Sequence, residues 1–253
     1  MEKRRKAKKR FSALTSFLLA LALLTGTLGA LPAECFAAQP EKAAFHSTYG
    51  FRLGSSAKME LQFRDKLEKN YKVNGNTYYG SQTDLSRQLR DQMVKRSDQV
   101  VLRLATDRRG LTGRSNSATQ AREELFFGLL NDATAQRNSV SARDGDYLRW
   151  QLGSVSGVLY ADGSKNGVYY YRVIYYGLGY YTTAAEEQWV DRYVQKYVRR
   201  VDRNKMSDYD LAKKVHDDVC RATVYDMEMD SRYDDYDYSA YGCLHVGRCV
   251  CQG

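Results

Sequence analysis

The chain has 253 residues, a formal net charge of +9, and 43% hydrophobic against 27% charged residues, the balance of a globular protein with room for a core. Much of the positive charge lies in residues 1–37, which hold seven basic and two acidic residues and leave the remainder at +4. So mild a charge, with no concentrated basic face, argues against nucleic acid as a partner.

The N-terminal region has the pattern of a secretory signal peptide. Several Lys and Arg residues precede an apolar run over residues 11–31, and small residues around Cys35 follow it. We predict a signal peptide over 1–37, cleaved at its end, and a flexible leader over 38–55. The apolar run is also long enough to stay as a membrane anchor. The protein is therefore expected to be secreted or at the extracellular surface, with cell-wall or membrane association through this segment left open.

Residues 56–203 predict a mixed α and β N-terminal domain. Apolar residues recur at helical spacing in two stretches of its first part. The first stretch is Met59, Phe63 and Leu67, and the second is Leu85, Leu89 and Met93. Thr83 is the expected cap of the second helix, and the turn-like residues 74–76 separate the two stretches. Residues 99–105 alternate and are rich in Val and Leu, which predicts a strand. The basic stretch 108–116 lacks a phosphate-loop pattern and is expected to be a surface loop.

A longer helix and a hairpin follow. Ser117 with Gln120 forms a capping box for a helix whose buried face is expected to hold Ala121, Leu125, Phe126 and Leu129. Residues 144–152 predict a short helix presenting Tyr147, Leu148 and Leu152. Residues 156–160 and 168–176 are β-prone, with turn chemistry from Asp162-Gly163 and Gly167 between them. The second strand is apolar or aromatic on both faces and is expected to be central in its sheet.

Tyrosines cluster at 169–171, 175–176 and 180–181. Their rings can pack against sugar faces, so a carbohydrate-binding surface is one interpretation. Tyrosine also suits a half-buried pleated surface, and we favour that interpretation.

Two capped helices complete the pattern. Thr183 with Glu186 forms a capping box for a helix over 184–202 that presents Trp189, Tyr193, Tyr197 and Val201 on one side. The polar stretch 202–205 is the expected domain boundary. Ser207 caps the next helix, whose buried face is expected to hold Leu211, Val215, Val219 and Ala222.

Residues 207–253 carry a set of motifs that points to cysteine chemistry. The capped helix is followed by Thr223-Val224-Tyr225-Asp226, an acidic Tyr-rich connector, a small-residue run, and finally Val250-Cys251-Gln252-Gly253. This order resembles the opening of the bacterial transglutaminase-like (papain-like) core. The resemblance implies an α+β protein in which the opening helices of an incomplete transglutaminase-like domain, 207–253, follow the N-terminal domain. It also implies that Cys251 is the nucleophile, at the start of a helix, with His and Asp partners later in the chain.

The implied protein is an exported cysteine enzyme without a cofactor. It would act on glutamine or peptide amides of protein or peptide substrates, by transfer or hydrolysis through a thioester, because a thiolate attacks amide carbonyls at low basicity. We interpret the chain as cut off at its active-site cysteine. The three histidines, His46, His216 and His245, do not stand where the family places its base, so residues 38–253 alone are expected to be inactive. The alternative is a non-catalytic secreted module that binds the cell surface or carbohydrate and whose cysteines are structural.

The histidines and cysteines of this region have other interpretations. His216 is expected to be a packed structural residue beside the buried helix face. His245 could act as a base only if the loop before Cys251 folded back sharply. A disulfide between Cys220 and Cys243 is conceivable, whereas Cys249 is badly placed to bridge Cys251.

Two metal hypotheses compete for the same residues, and we predict no metal. Cys243, His245, Cys249 and Cys251 offer zinc ligands, but without the two-residue gaps of closed sites. Asp226, Glu228, Asp230 and Asp237 partly fit a calcium loop, but Ser231 stands where glycine is required. A thiol-redox role for Cys249-Val250-Cys251 is also open, although the usual two-residue spacing is absent.

Overall fold

A mixed six-stranded sheet organises the chain, and helices accompany it, so the fold is α+β as predicted. The computed structural model describes residues 42–48, 69–137, 141–202, 205–227, 235–251 and 253, with the backbone alone for residues 42–48. The predicted signal peptide, most of the predicted leader, and the predicted helix around Phe63 lie outside these residues.

The sheet is antiparallel except for one pair of neighbours. In chain order the elements are β1 (Lys42–Thr48), β2 (Asn70–Val73), β3 (Asn76–Tyr79), α1 (Gln82–Val94), β4 (Gln99–Thr106), α2 (Asn116–Thr134), α3 (Leu148–Gln151), β5 (Leu152–Lys165), β6 (Val168–Tyr180), α4 (Ala184–Arg200), α5 (Asp208–Ala222), β7 (Val224–Tyr225) and β8 (Arg248–Cys249). The sheet order is β1-β5-β6-β4-β3-β2, with β3 parallel to β4. β6 therefore lies between β5 and β4, which confirms its predicted central place.

The core lies between the sheet and helices α1 and α2. Leu85, Leu89 and Met93, the predicted stripe of α1, are fully buried with Phe126 of α2. Phe126 packs where Gly157 of β5 leaves space, since a Cβ on Gly157 would come within 2.4 Å of the ring. Burying an apolar side chain of this size contributes about 1.5–3 kcal/mol. This packing is what fixes both helices on the sheet.

Two of the four predicted helix caps are wrong by two residues. α1 is capped by Ser81 rather than Thr83, and α2 by Ser115 rather than Ser117. In each case the serine has extended backbone, and its hydroxyl accepts a hydrogen bond from the N–H three residues on, as capping requires. The caps predicted at Thr183 and Ser207 are confirmed.

The predicted turn between β5 and β6 is confirmed at Gly167 but wrong at Asp162-Gly163. β5 and β6 turn at Asn166-Gly167, with φ of 53° and 79°, whereas Gly163 lies at a register shift within the paired strands. Two successive residues with positive φ match the twist of a hairpin, which explains this choice. The turn at Asn74-Gly75 is confirmed, but the short strands β2 and β3 beside it were not predicted. Leu152 begins β5, so the predicted short helix is confined to α3.

Most of the tyrosines of β6 pack in the protein interior or are partly buried. Tyr170, Tyr171 and Tyr175 are buried, while Tyr176 is exposed. Tyr175 donates its hydroxyl hydrogen bond to the carbonyl of Phe126 at 2.9 Å. The packing interpretation therefore holds for most of this strand.

We expect the stability of the fold to fall at alkaline pH through Tyr78, which burial and a hydrogen bond to Asp162 hold neutral. Burial first, and then the hydrogen bond to the Asp162 carboxylate, raise the pKa of Tyr78 from 10.0 to about 12. The folded pKa is the higher one, so this contribution is complete below the unfolded pKa and is lost as pH rises through the folded pKa. Urea unfolding at roughly pH 9 and pH 11 should show the decline. A Tyr78→Phe variant that declines just as steeply would contradict it.

Within the part of the chain that the structure describes, no helix combines the length and apolar character needed to cross a bilayer.

Candidate functional site

The residues around Cys251 form a small substructure, here called the terminal segment (residues 235–251 and Gly253). It contains a 3₁₀ turn at Tyr236–Tyr238, a π-helical turn at Gly242–Val246, and β8. β8 pairs in parallel with β7, which follows α5. The pairing sets the strand that precedes Cys251 directly against the Thr-Val-Tyr-Asp motif seen in the sequence.

An ion pair between a buried carboxylate and a partly exposed arginine reinforces that strand pairing. The Asp226 carboxylate is buried and receives a hydrogen bond from the Arg248 guanidinium at 2.8 Å. The backbone N–H of Asp226 also donates to the carbonyl of Cys249 at 3.0 Å. The Asp of the motif therefore holds β8 in register, a role that sequence reasoning did not assign to it.

The cysteines of the terminal segment divide into a disulfide and a thiol. Cys243 and Cys249 form a disulfide, with 5.0 Å between their Cα atoms. Gly247, with φ of 81°, reverses the chain after the π-helical turn and sets the two side by side. The suggested Cys220–Cys243 bond is therefore wrong, and Cys220 and Cys251 are free and exposed.

The disulfide also bears on the metal hypotheses. A cysteine in a disulfide offers no thiolate, so the proposed zinc cluster loses two of its four ligands. Among the described residues, no group of three or more His, Cys, Asp or Glu is arranged to hold a metal ion. For the calcium alternative, Glu228 and Asp230 lie outside the described residues.

Cys251 lies in a tight turn at the end of β8. The N–H of Val250 donates to the carbonyl of Asp237 at 2.9 Å, and the N–H of Gly253 donates back to the carbonyl of Val250 at 3.1 Å. These two bonds anchor the turn on both sides of the cysteine and leave its side chain exposed. The described residues thus place Cys251 in a turn, where the resemblance implied the start of a helix.

His216 is not the packed residue that the sequence predicted. Its side chain is 74% exposed, with Nε2 lying 3.6 Å from Sγ of Cys220 one turn further along α5. No residue of α5 is buried, and Val215 and Val219 are 39% and 41% exposed. The predicted buried face of α5 is therefore wrong. Helical spacing identifies the apolar side of a helix, but burial also needs a covering element, which the described residues do not supply.

His245 packs among aromatic rings. Its ring lies 4.7 Å from Trp189 and 4.6 Å from Tyr241, measured between centroids. The side chains of His216 and His245 therefore contact residues other than Cys251. The side chain of His46 lies outside the part of the chain with described side chains. Neither of the two described histidine side chains, His216 and His245, is thus placed as a base for Cys251.

Aromatic contacts hold the terminal segment against α4 and against Tyr181, which follows β6. Trp189 of α4 packs edge-on to Tyr241, and Tyr238 stacks on Tyr181 with centroids 5.3 Å apart. The Tyr236 hydroxyl donates to the Glu186 carboxylate at 2.8 Å. Burial raises the pKa of Glu186, but hydrogen bonds from Thr183 and Tyr236 outweigh it and bring the pKa below the ordinary value. These contacts join the Cys251 turn to α4 across the polar stretch at 202–205.

A cavity of about 310 Å³ opens between α3, α4 and the terminal segment. Its lining is mostly apolar and aromatic, and Gly253, two residues after Cys251, forms part of the wall. Val190 and Val194 of α4 and Leu244 of the terminal segment supply aliphatic surface, and Trp150 of α3 supplies an exposed aromatic ring. Sequence reasoning missed this cavity because its walls come from three separated stretches.

Three polar side chains of the cavity wall, Glu187, Thr182 and Gln151, have partners within the protein. Glu187 is buried and ion-paired with Arg96, which stands behind the wall. Burial raises the pKa of Glu187, although Arg96 acts in the opposite direction. The Thr182 hydroxyl donates to the side-chain oxygen of Gln151 at 2.8 Å. The cavity therefore presents mainly apolar surface to an occupant.

Comparison of the chain with protein-family models, curated proteins and solved structures finds no match.

Proposed function

We propose that Cys251 is the nucleophile of an exported transglutaminase-like cysteine enzyme that acts on glutamine or peptide amides. The observation that carries the proposal is the state of the cysteines. In the terminal segment the disulfide takes Cys243 and Cys249 and leaves the thiol of Cys251 free and exposed. That thiol stands in the Val-Cys-Gln-Gly motif on which the resemblance rests, at the end of an anchored strand.

The proposed reaction proceeds through a thioester. The Cys251 thiolate attacks the amide carbonyl carbon, the carbon–nitrogen bond breaks, and ammonia or an amine leaves with a proton. An amine or water then attacks the thioester and releases the thiol. Free cysteine has a pKa of about 8.5, so the step needs a nearby base or positive charge. The resemblance implies that a histidine base and an orienting aspartate supply this help. We propose that residues 38–253 alone lack it, because the rings of His216 and His245 contact residues other than Cys251.

Incorporation of a fluorescent alkylamine into a glutamine-containing peptide tests the proposal. In the full-length gene product, Cys251→Ala should lower the rate by at least about 100-fold, because the nucleophile is removed. Cys220→Ala is the matched control, since it removes the other exposed thiol and should leave the rate within about twofold. Release of ammonia without the amine measures hydrolysis in the same assay.

Two outcomes would contradict the proposal. Equal activity of Cys251→Ala and the unaltered protein would show that the thiol is not the nucleophile. Thiol-dependent turnover by residues 38–253 alone would show that the base lies within this segment. The alternative glycan-binding function would be favoured by binding to cell-wall material that survives Cys251→Ala, although burial of most β6 tyrosines leaves it little aromatic surface on that strand.

A further inference from the structure

We infer that the cavity beside the terminal segment is a subsite for an apolar, preferably aromatic, side chain of a peptide substrate bound at Cys251. The inference rests on the proposed function for the reaction, and it adds the class of substrate residue that is selected. Three features of the cavity carry it: its position, its size and its mainly apolar lining.

The position follows from the turn that holds Cys251. Gly253 lines the cavity, and its N–H closes the turn on the carbonyl of Val250. Consecutive Cα atoms are 3.8 Å apart, so the Cα atoms of Cys251 and Gly253 are separated by at most about 7.6 Å. A neighbouring residue of an extended peptide spans about 3.3–3.6 Å of chain. A peptide bonded at Cys251 can therefore reach the cavity with a residue one or two positions away.

The size suits a side chain rather than a folded partner. A cavity of about 150 Å³ lined by aliphatic and aromatic residues is large enough to hold benzene. The cavity here, at about 310 Å³, has room for one aromatic side chain and part of its backbone. Trp150 offers a half-exposed ring on which such a side chain can stack.

The charges argue against a cationic or acidic occupant. Glu187 contributes a carboxylate to the wall, and Arg96 already neutralises it. The Thr182 hydroxyl and the Gln151 side-chain oxygen, both in the wall, are hydrogen-bonded to each other. An ionic side chain would lose its hydration against a wall that is mainly apolar, whereas an apolar side chain would only leave water.

Affinity labelling of the thiol tests the inference without requiring turnover. The reagents are the chloroacetyl derivatives of phenylalanine amide and glycine amide, whose methylene carbon bonds to sulfur as chloride leaves. Labelling of Cys251 and of Cys220 is followed by peptide mapping in the non-reduced 1–253 chain. Cys220 is exposed and outside the cavity lining, so it reports the intrinsic difference between the reagents.

The phenylalanine reagent should label Cys251 at least about tenfold faster than the glycine reagent, after normalisation to Cys220, and its rate should saturate with concentration. Val194→Trp, which fills the cavity rim, should bring the ratio to within about twofold. Val198→Trp is the matched control, because it lies one turn along α4 with similar exposure and outside the lining. It should keep the tenfold ratio.

Equal normalised rates for the two reagents would overturn the inference, and so would loss of the preference in both tryptophan variants. Failure of the proposed function gives a different result. If Cys251 is not a catalytic nucleophile, the amine-incorporation assay fails while the labelling preference remains. If the enzyme is active but the normalised rates are equal, the function stands and the subsite is wrong.

Discussion

Arg90→Ala is expected to lower the free energy of unfolding by about 3–5 kcal/mol, since it leaves a buried carboxylate without its positive partner. The side chains of Arg90 and Asp146 are only 3% and 0% exposed and meet at 2.7 Å. The guanidinium also donates to the carbonyls of Ala133, Ala135 and Asp144. Burial lowers the pKa of Arg90 below its ordinary value, which reflects how much hydration this arginine has given up. One side chain thus ties α1 to the end of α2 and to the turn before α3.

Arg87→Ala is the control on the same helix. Arg87 pairs with Asp84, but the two side chains are 61% and 29% exposed, so its loss should cost at most about 1 kcal/mol. Urea denaturation of both variants measures the difference. If Arg90→Ala does not fold, Arg90→Lys keeps the charge but loses the planar fork and should give a smaller, measurable loss. Equal losses at positions 87 and 90 would contradict the importance of the buried pair.

Gly242→Ala is expected to detach the terminal segment from α4 and from Tyr181. A Cβ on Gly242 would lie 2.0 Å from the carbonyl oxygen of Tyr236 and 3.2 Å from that of Arg248. Both neighbours are backbone, so they cannot give way by changing rotamer, and the cost should be roughly 3 kcal/mol or more. The near-ultraviolet circular dichroism that arises from Trp189 and the rings packed on it should fall. Limited proteolysis should cut the terminal segment, while the core around α1 and α2 keeps its unfolding transition.

Gly75→Ala separates this clash from ordinary glycine effects. Gly75 has φ of 76° but no heavy atom near its Cβ position, so its replacement costs only conformational strain of about 1 kcal/mol. It should leave the Trp189 signal unchanged. A Gly242→Ala protein with an unaltered Trp189 signal and unaltered protease resistance would show that the terminal segment can repack around the new methyl group.

Local sequence signals predicted most of the helices. The stripe of Leu85, Leu89 and Met93 and the caps at Thr183 and Ser207 were correct, because helical spacing and capping act within a few residues. The caps of α1 and α2 were misplaced, since two hydroxyl residues stand close together in each case and only the backbone conformation decides between them. Motif order pointed to Cys251, and its role as nucleophile stays a proposal.

The sequence by itself therefore determined the approximate positions of most described helices, that β6 is central, and that Cys251 stands in a Val-Cys-Gln-Gly sequence. Only the tertiary structure decided that Cys243 pairs with Cys249, that α5 leaves its apolar side exposed, and that three separated stretches enclose a cavity next to Cys251. The physical reason is range. Propensity and capping depend on neighbours along the chain, whereas burial, pairing and cavities depend on which distant surfaces meet, as Arg90 and Asp146 do across 56 residues.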